Sequence, residues 1–434
     1  MNRKPARFAL HTTLFLGLAA VSVYGCEGSG AGKADQDGYV MGDGAAPSSG
    51  AHDAGGLLGS RDAAGGGKMG GAADARDAAS AASPNQAGIT DSSVRGNADS
   101  GGSADASGVA PGSSSDAGSV STNCPPPAAG AKGKNPLFTD QYTADPAAFV
   151  FDCTFYIQCG HDEAAAGQNG FVMKEWFLLS STDMVTWNKK VALRLSDFSW
   201  ADANAWAGQM VTKNGKFYWY VPLNERGAGM AIGVAVSDSP TGPFKDALGK
   251  PLINDKSEMA NFGFNDPGQT VYTIDPTVFV DDDGQAYLHY GGFSRMVVAK
   301  LNDDMISISG KMQEVTPPGF FEAPFLTKRN GRYYEIYAAG VNPATIDYAT
   351  ASSPMGPWTR GGRIIDALPN VSGQDAATSH PGVAQLGGQW YVVYHLSNGP
   401  NGGGTYRREV AIDKLNFNTD GTIQKVTPSA GLSF

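Results

Sequence analysis

Along the last two thirds of the chain the apolar positions fall in short runs, separated by polar turns. Five stretches share one layout: a polar or aromatic leader, an apolar run, a tight turn, then a cluster of aromatics. They are "DPAAFVFDCTFYIQC" from Asp145, "WAGQMVTKNGKFYWYV" from Trp206, "DPTVFVDDDGQAYLHY" from Asp275, "EAPFLTKRNGRYYEIY" from Glu322 and "HPGVAQLGGQWYVVYH" from His380. The centres "KNGK", "DDDGQ", "RNGR" and "GGQ" carry the Asn-Gly, Asp-Gly and Gly-Gly pairs that tolerate the positive φ of a hairpin turn. The Val, Phe, Tyr and Ile runs on either side suit strands. A second echo follows further along: "SSTDMVTW", "SDSPTGPF" and "ASSPMGPW" end at Trp187, Phe244 and Trp358. Each unit therefore predicts three or four antiparallel strands, and no helical period is sustained beyond residue 134.

Repeated four-stranded sheets arranged radially are the β-propeller answer to exposed strand edges. The expectation is an all-β, five-bladed propeller over residues 134–434. A β-sandwich is the alternative, but it does not explain a repeated hairpin with a repeated leader. In a propeller the innermost strands begin around one mouth, so the five leaders should converge. The prolines after Asp145, Asp275 and His380 predict an extended conformation for those three leaders. One acid before a strand is an ordinary turn residue. Three acids at one register of a repeat are not explained by turn chemistry. Clustered carboxylates suit glycoside hydrolysis, which needs a protonated donor for the leaving oxygen and an ionised base for water. A further carboxylate raises the donor's pKa by repulsion.

Composition divides the chain. From Glu27 to Asn123 it is almost entirely Gly, Ala, Ser and Asp, with Tyr39 the sole aromatic. Such a stretch has too little apolar surface to offset the entropy of ordering, so residues 27–133 are expected to form a disordered tether. Twelve acidic residues against five basic ones give that stretch a net charge of −7, against −10 for the whole chain. Residues 124–434 hold 24 basic and 30 acidic residues, a mild net charge of −6, and have no basic stripe, which argues against nucleic acid as a partner. Ahead of the tether, residues 1–26 place Arg3, Lys4 and Arg7 before an apolar core from Leu14 to Val23. This pattern predicts a secretory signal, too short for a membrane span. Its ending, "VYGC", resembles the bacterial lipoprotein cleavage box, which implies lipid attachment at Cys26; simple secretion is the alternative. Either route places the folded part outside the cytoplasm.

Oxidising conditions permit disulfides there. Cys153 and Cys159 stand on a turn and its return strand, too far apart to pair, whereas Cys124 could reach one of them. No spacing suggests zinc. "DDDG", Asp281 to Gly284, lacks the later ligands of a calcium loop and is expected to be a hairpin tip pointing outward.

"ADPAAFVFD", "IDPTVFVDDDGQAYLHYGG", "GFFEAPFLTKRNGRYYEIYA" and "SHPGVAQLGGQWYVVYH" resemble the motif set of glycoside hydrolase family 43. "SSTDMVTW", "WAGQMVTKNGKFYWYV" and "GVAVSDSPTGPF" fit it too, in order from about Asn135 to Ile423. The resemblance implies a five-bladed propeller acting with inversion on plant cell-wall polysaccharide, as a monomer with no required cofactor. By position it implies Asp145 as general base, Glu322 as general acid and Asp275 as the residue that tunes and orients the acid. His380 resembles an axial histidine that supports a structural calcium or an ordered water. Arg408, in "GGGTYRREVAIDKL", resembles a pocket arginine near the sugar, and Trp206 would be an apolar wall for the ring. His161 and Asp162, in "GHDE", are expected on a substrate-binding loop near the mouth. No carbohydrate-binding module is expected after the fifth unit, which leaves substrate choice to the pocket loops.

The wording around "GHDEAAAGQNGFVMKEW" and "DFSWADANAWAGQM" points to α-L-arabinofuranosidase on arabinoxylan or arabinan, with β-xylosidase as the alternative. A catalytically silent glycan-binding propeller is a rival from another class. A retaining fructan hydrolase would need a nucleophile motif that "YTADPAAF" lacks.

Overall fold

The computed structural model describes residues 124–341, 343–369, 378–401 and 403–434. The expected signal, Cys26 and nearly all of the expected tether lie outside the described residues.

Five antiparallel sheets form a five-bladed propeller. Blade one holds β1 (Thr143–Phe151), β2 (Thr154–His161), β3 (Glu175–Ser181) and β4 (Asn188–Arg194) in sequential order. Blade two is built on β5 (Ala201–Ala203), β6 (Gln209–Lys213), β7 (Lys216–Glu225) and β8 (Met230–Ser237), with short β9 (Lys245–Asp246) and β10 (Ile253–Asn254) along β8. Blade three is β11 (Thr277–Val280), β12 (Ala286–Tyr290), β13 (Val297–Leu301) and β14 (Ile308–Glu314). Blade four is β15 (Phe320–Arg329), β16 (Arg332–Ala339), β17 (Thr345–Ala351) and β18 (Thr359–Ile365). Blade five has β19 (Gly382–Leu386), β20 (Gln389–Leu396) and β21 (Glu409–Leu415).

The inner strands β1, β6, β11, β15 and β19 touch one another in that cyclic order, β19 returning to β1. Side chains of both faces fill the seams between consecutive blades. Trp176 and Trp219 pack in the seam of blades one and two, and Tyr220 with Leu288 in that of two and three. Val298 with Tyr337, Tyr334 with Val392, and Phe155 with Tyr391 pack in the other three. A fully buried side chain of this kind contributes about 1.5–3 kcal/mol. Inner strands also present unpaired backbone donors, as any edge does. Gln158 Oε1 accepts from the Met210 amide at 3.3 Å, and Gln209 Oε1 from the Val278 amide at 2.7 Å, so each side chain ties its blade to the next.

Among the described residues blade five has no fourth strand, and the segment ahead of β1 covers its edge. The Asn135 side chain donates to Ile412 O at 2.9 Å and accepts from Ile412 N at 3.0 Å, imitating a strand beside β21. A disulfide joins Cys124 to Cys153 in the β1–β2 turn, with Cα atoms 5.2 Å apart, leaving Cys159 buried and free. Residues 124–133, placed in the tether by composition, are thus fastened to the propeller: Cys124 is buried and Lys132 bridges to Ser433.

One helix stood outside the strand pattern, and one other expectation needs correcting. A helix, α1 (Asp255–Phe262), stands between blades two and three. It has no apolar stripe, only an Asn254 N-cap and Gly263 at φ +72 beyond its end, so periodicity passed over it. The "DDDG" turn is not wholly outward-facing. Asp281 is buried, accepting from Lys328 Nζ at 2.6 Å and Tyr333 Oη at 2.5 Å on blade four, while Asp282 and Asp283 are exposed.

Candidate active site

Each leader stands at or just before the start of an inner strand. Asp145 is the third residue of β1 and Glu322 the third of β15; Trp206, Asp275 and His380 precede β6, β11 and β19. The extended conformation expected of Asp145 and Asp275 is not what the backbone adopts. Their φ values are +52 and +53, and Ala323, after Glu322, lies at +59. The ladder slips between Ala144 and Ala147 and again on both sides of Glu322. Bulges at Asp145 and Glu322 re-aim those side chains, and at Asp145 override the proline preference; Asp275 stands ahead of β11, outside the ladder. Positive φ at a residue other than glycine is strain, and such strain gathers at functional sites.

Asp145 is nearly buried, and Arg408 Nη1 lies 2.5 Å from its Oδ1. Arg408 also forms a two-pronged pair with Asp162, Nε to Oδ2 and Nη2 to Oδ1, both at 2.9 Å. Two histidines complete the surroundings. His395 Nδ1 accepts from the Asp145 amide at 3.3 Å, its Nε2 facing Thr378 O at 3.2 Å, and His380 Nδ1 is 3.9 Å from Asp145 Oδ1. Burial works to raise the Asp145 pKa, but the Arg408 charge and the imidazoles outweigh it and hold the carboxyl well below its ordinary range. His380 goes the other way: burial is the main cause, and its pKa falls to about 4. It is a neutral imidazole at neutral pH.

The other two acids are held in the opposite state. Asp275 Oδ2 accepts from the Ala323 amide at 3.0 Å, which ties it to the backbone beside Glu322. Burial, then the charges of Glu322 and Asp145, push Asp275 well above its ordinary value. Burial first and Asp145 second raise Glu322 to about 7. Repulsion by Asp275 was expected to tune Glu322; the causes are instead burial and then the Asp145 charge, Asp275 being itself held protonated. One ionised carboxylate and two that retain protons are what acid–base chemistry requires of a single pocket.

Residues 134–423 match the profile of glycosyl hydrolases family 43. The chain belongs to that family of glycosidases. An arabinoxylan arabinofuranohydrolase of Bacillus subtilis (strain 168) is 34% identical over 339 residues, 67% of this chain and 64% of its own length. The match thus spans less than two thirds of that relative. A xylosidase/arabinosidase of Bacteroides ovatus is 32% identical over 67% of this chain and 96% of its own. Among solved structures, a β-xylosidase/α-arabinofuranosidase from a compost microbial metagenome, in complex with xylotriose, superposes with a TM-score of 0.59. It is 31% identical and covers 68% of this chain and 97% of its own.

In this family 43 chain the residues expected to bind sugar divide. Trp206 is half-buried, donates through Nε1 to Phe171 O at 3.0 Å and meets the Phe171 ring edge-on at 6.3 Å. Arg408 is 2% exposed and committed to two carboxylates. Asp162, expected to contact substrate, is closed off: its side chain is 0% exposed and both oxygens hold Arg408. His161 is not on a loop. It ends β2, with Nδ1 3.1 Å from Glu175 Oε1 on β3 and its ring against Phe177.

Sequence reasoning passed over two residues here. Phe171 lies under the Arg408 guanidinium at 4.9 Å and against Tyr406 at 4.8 Å. His395 was hidden inside an aromatic strand run. Neither carried a local signal: Phe171 stands beside other apolar residues and His395 at the end of an aromatic run.

Catalysis in this family needs no cofactor. A structural calcium takes six to eight oxygen ligands. Around His380 stand an imidazole and an Asp145 oxygen that already carries Arg408, and the described residues include no cluster of three or more metal-ligating side chains. These side chains do not fit a calcium site.

Proposed function

We propose that the chain is an inverting glycosidase that releases α-L-arabinofuranosyl units from arabinoxylan or arabinan. The observation that carries this reading is the charge division: Arg408 keeps Asp145 ionised while Glu322, raised to about 7, keeps its proton. Protonated Glu322 donates to the glycosidic oxygen as the C–O bond breaks. Asp145 takes a proton from a water attacking the anomeric carbon from the opposite side. Neutral His380, beside Asp145, is placed to hold that water. Asp275, bonded to the Ala323 amide, fixes the Glu322 backbone and withholds a second negative charge. Trp206 and Phe171 supply an apolar wall for the sugar ring.

β-Xylosidase is the second reading, favoured by the likeness to the metagenomic enzyme in complex with xylotriose. Aryl α-L-arabinofuranoside and aryl β-D-xyloside assays separate the two, with Asp145→Asn and Glu322→Gln as controls. If the wild-type protein and both variants are equally inert on both substrates, the enzyme reading is lost. NMR of the first-formed sugar reports the anomer, and retention of configuration would overturn inversion.

We further propose export of the protein as a lipid-anchored monomer, on the strength of "VYGC" at residues 23–26. Palmitate labelling of wild type, absent in Cys26→Ser, tests the anchor, and sedimentation tests the monomer.

A further inference from the structure

Among the described residues Phe293 is the most exposed large apolar side chain, at 62%. Its φ is +49 and that of Ser294 is +67, a strained conformation for a bulky residue that stability alone does not explain. The turn is built to hold it. A Cβ on Gly291 would come within 2.2 Å of Arg295 O, and the Ser294 amide donates to Phe321 O at 3.0 Å, anchoring the turn to β15.

The Phe293 ring meets Tyr272 edge-on at 5.0 Å and Phe321 at 5.7 Å. Tyr272 is three residues before Asp275, and Phe321 directly precedes Glu322. Tyr272 is itself 38% exposed, yet the residues on both sides of it are pinned. The buried Glu258 carboxylate of α1 accepts from the Val271 amide at 2.7 Å, the Thr273 hydroxyl at 3.3 Å and the Tyr290 hydroxyl at 2.8 Å. Three rings are thus mounted at the solvent edge of the acid pair, beside Val271 and Phe320, which pack into the seams of blade three.

We propose that Tyr272, Phe293 and Phe321 form a stacking platform for the sugar rings on the leaving side of the bond that Glu322 protonates. The inference rests on the glycosidase reading and deepens it. Pyranose rings present flat C–H faces that bury against aromatic rings, and the aromatic set adjoins the acid that serves the leaving oxygen. The occupant is therefore the polysaccharide main chain rather than the sugar released.

The test compares wild type, Phe293→Ala and Phe293→Tyr on the aryl glycoside the enzyme cleaves and on arabinoxylan oligosaccharides of increasing length. In Phe293→Ala the ratio of kcat/KM on long oligosaccharide to that on aryl glycoside is expected to fall about five- to tenfold, with Phe293→Tyr restoring it. An unchanged ratio overturns the platform. Retention on insoluble arabinoxylan by Glu322→Gln, with and without Phe293→Ala, gives a reading independent of turnover. Equal retention also overturns the platform, whether or not the catalytic assignment stands. A wild-type dimer that Phe293→Ala converts to monomer would assign the face to a second copy instead.

Discussion

Arg408 holds Asp145 and Asp162 at once, with Nη1 2.5 Å from one carboxylate and Nε and Nη2 each 2.9 Å from the other. The three groups are buried together, so the arginine is the countercharge that lets Asp145 stay ionised out of water.

Replacing Arg408 therefore acts on both stability and chemistry. Arg408→Met leaves two buried carboxylates uncompensated and is expected to cost about 3–5 kcal/mol, read as a lowered melting temperature. Lysine keeps a charge but cannot span both partners. In Arg408→Lys the Asp145 pKa should rise, moving the acidic limb of the kcat/KM profile to higher pH. An acidic limb that stays in place would show that Arg408 does not set this charge.

The alkaline limb should report the general acid. Glu322 must carry a proton to act, and its pKa is raised to about 7 by burial and by Asp145. Activity on oligosaccharides is expected to fall as pH rises through about 7. Glu322→Gln should lose about 10²–10⁴-fold on such substrates. The loss should shrink on dinitrophenyl glycosides, whose leaving group needs no protonation. Equal losses on both would remove Glu322 from the role of acid.

Much of this was readable from the chain because a propeller repeats itself. The leaders Asp145, Asp275 and Glu322 share a register, and register is what alternation and turn residues report. The contacts that set their charge are long-range: Arg408 is 263 residues from Asp145 and 246 from Asp162. Nothing local marked Asp162 as a partner for an arginine rather than a group for sugar. The positive φ at Asp145 and Asp275 was equally hidden, because a proline after each argues for the opposite conformation. Glu258 lay in a segment whose polar sequence gave no reason to expect a buried acid.

The Cys124–Cys153 bridge closes a loop with a sequence separation of 29. A loop of that length removes about 3–4 kcal/mol of unfolded-state entropy. Cys153 lies eight strand steps from Asp145, roughly 26 Å along the chain. Cys124→Ser, or reduction, is expected to lower the melting temperature by several degrees while kcat at low temperature stays unchanged. An equal melting temperature for oxidised and reduced protein would mean that the segment covering blade five is held without it.

Glu322 should also make the fold less stable than it need be, and the sign can be worked out. Its folded pKa, about 7, lies above its ordinary 4.5. Below pH 4.5 both the folded and unfolded forms are protonated, and the residue contributes no difference. Between 4.5 and about 7 the unfolded chain releases the proton while the folded one keeps it, so stability falls as pH rises, then levels off. A shift of this size corresponds to about 3 kcal/mol at the plateau. Glutamine occupies the same space with no proton to lose, so Glu322→Gln should match wild type in melting temperature near pH 4 and exceed it by several degrees at pH 8. Equal melting temperatures at both pH values would show that Glu322 titrates as an ordinary surface acid, and the proton it is meant to donate would then be absent at neutral pH.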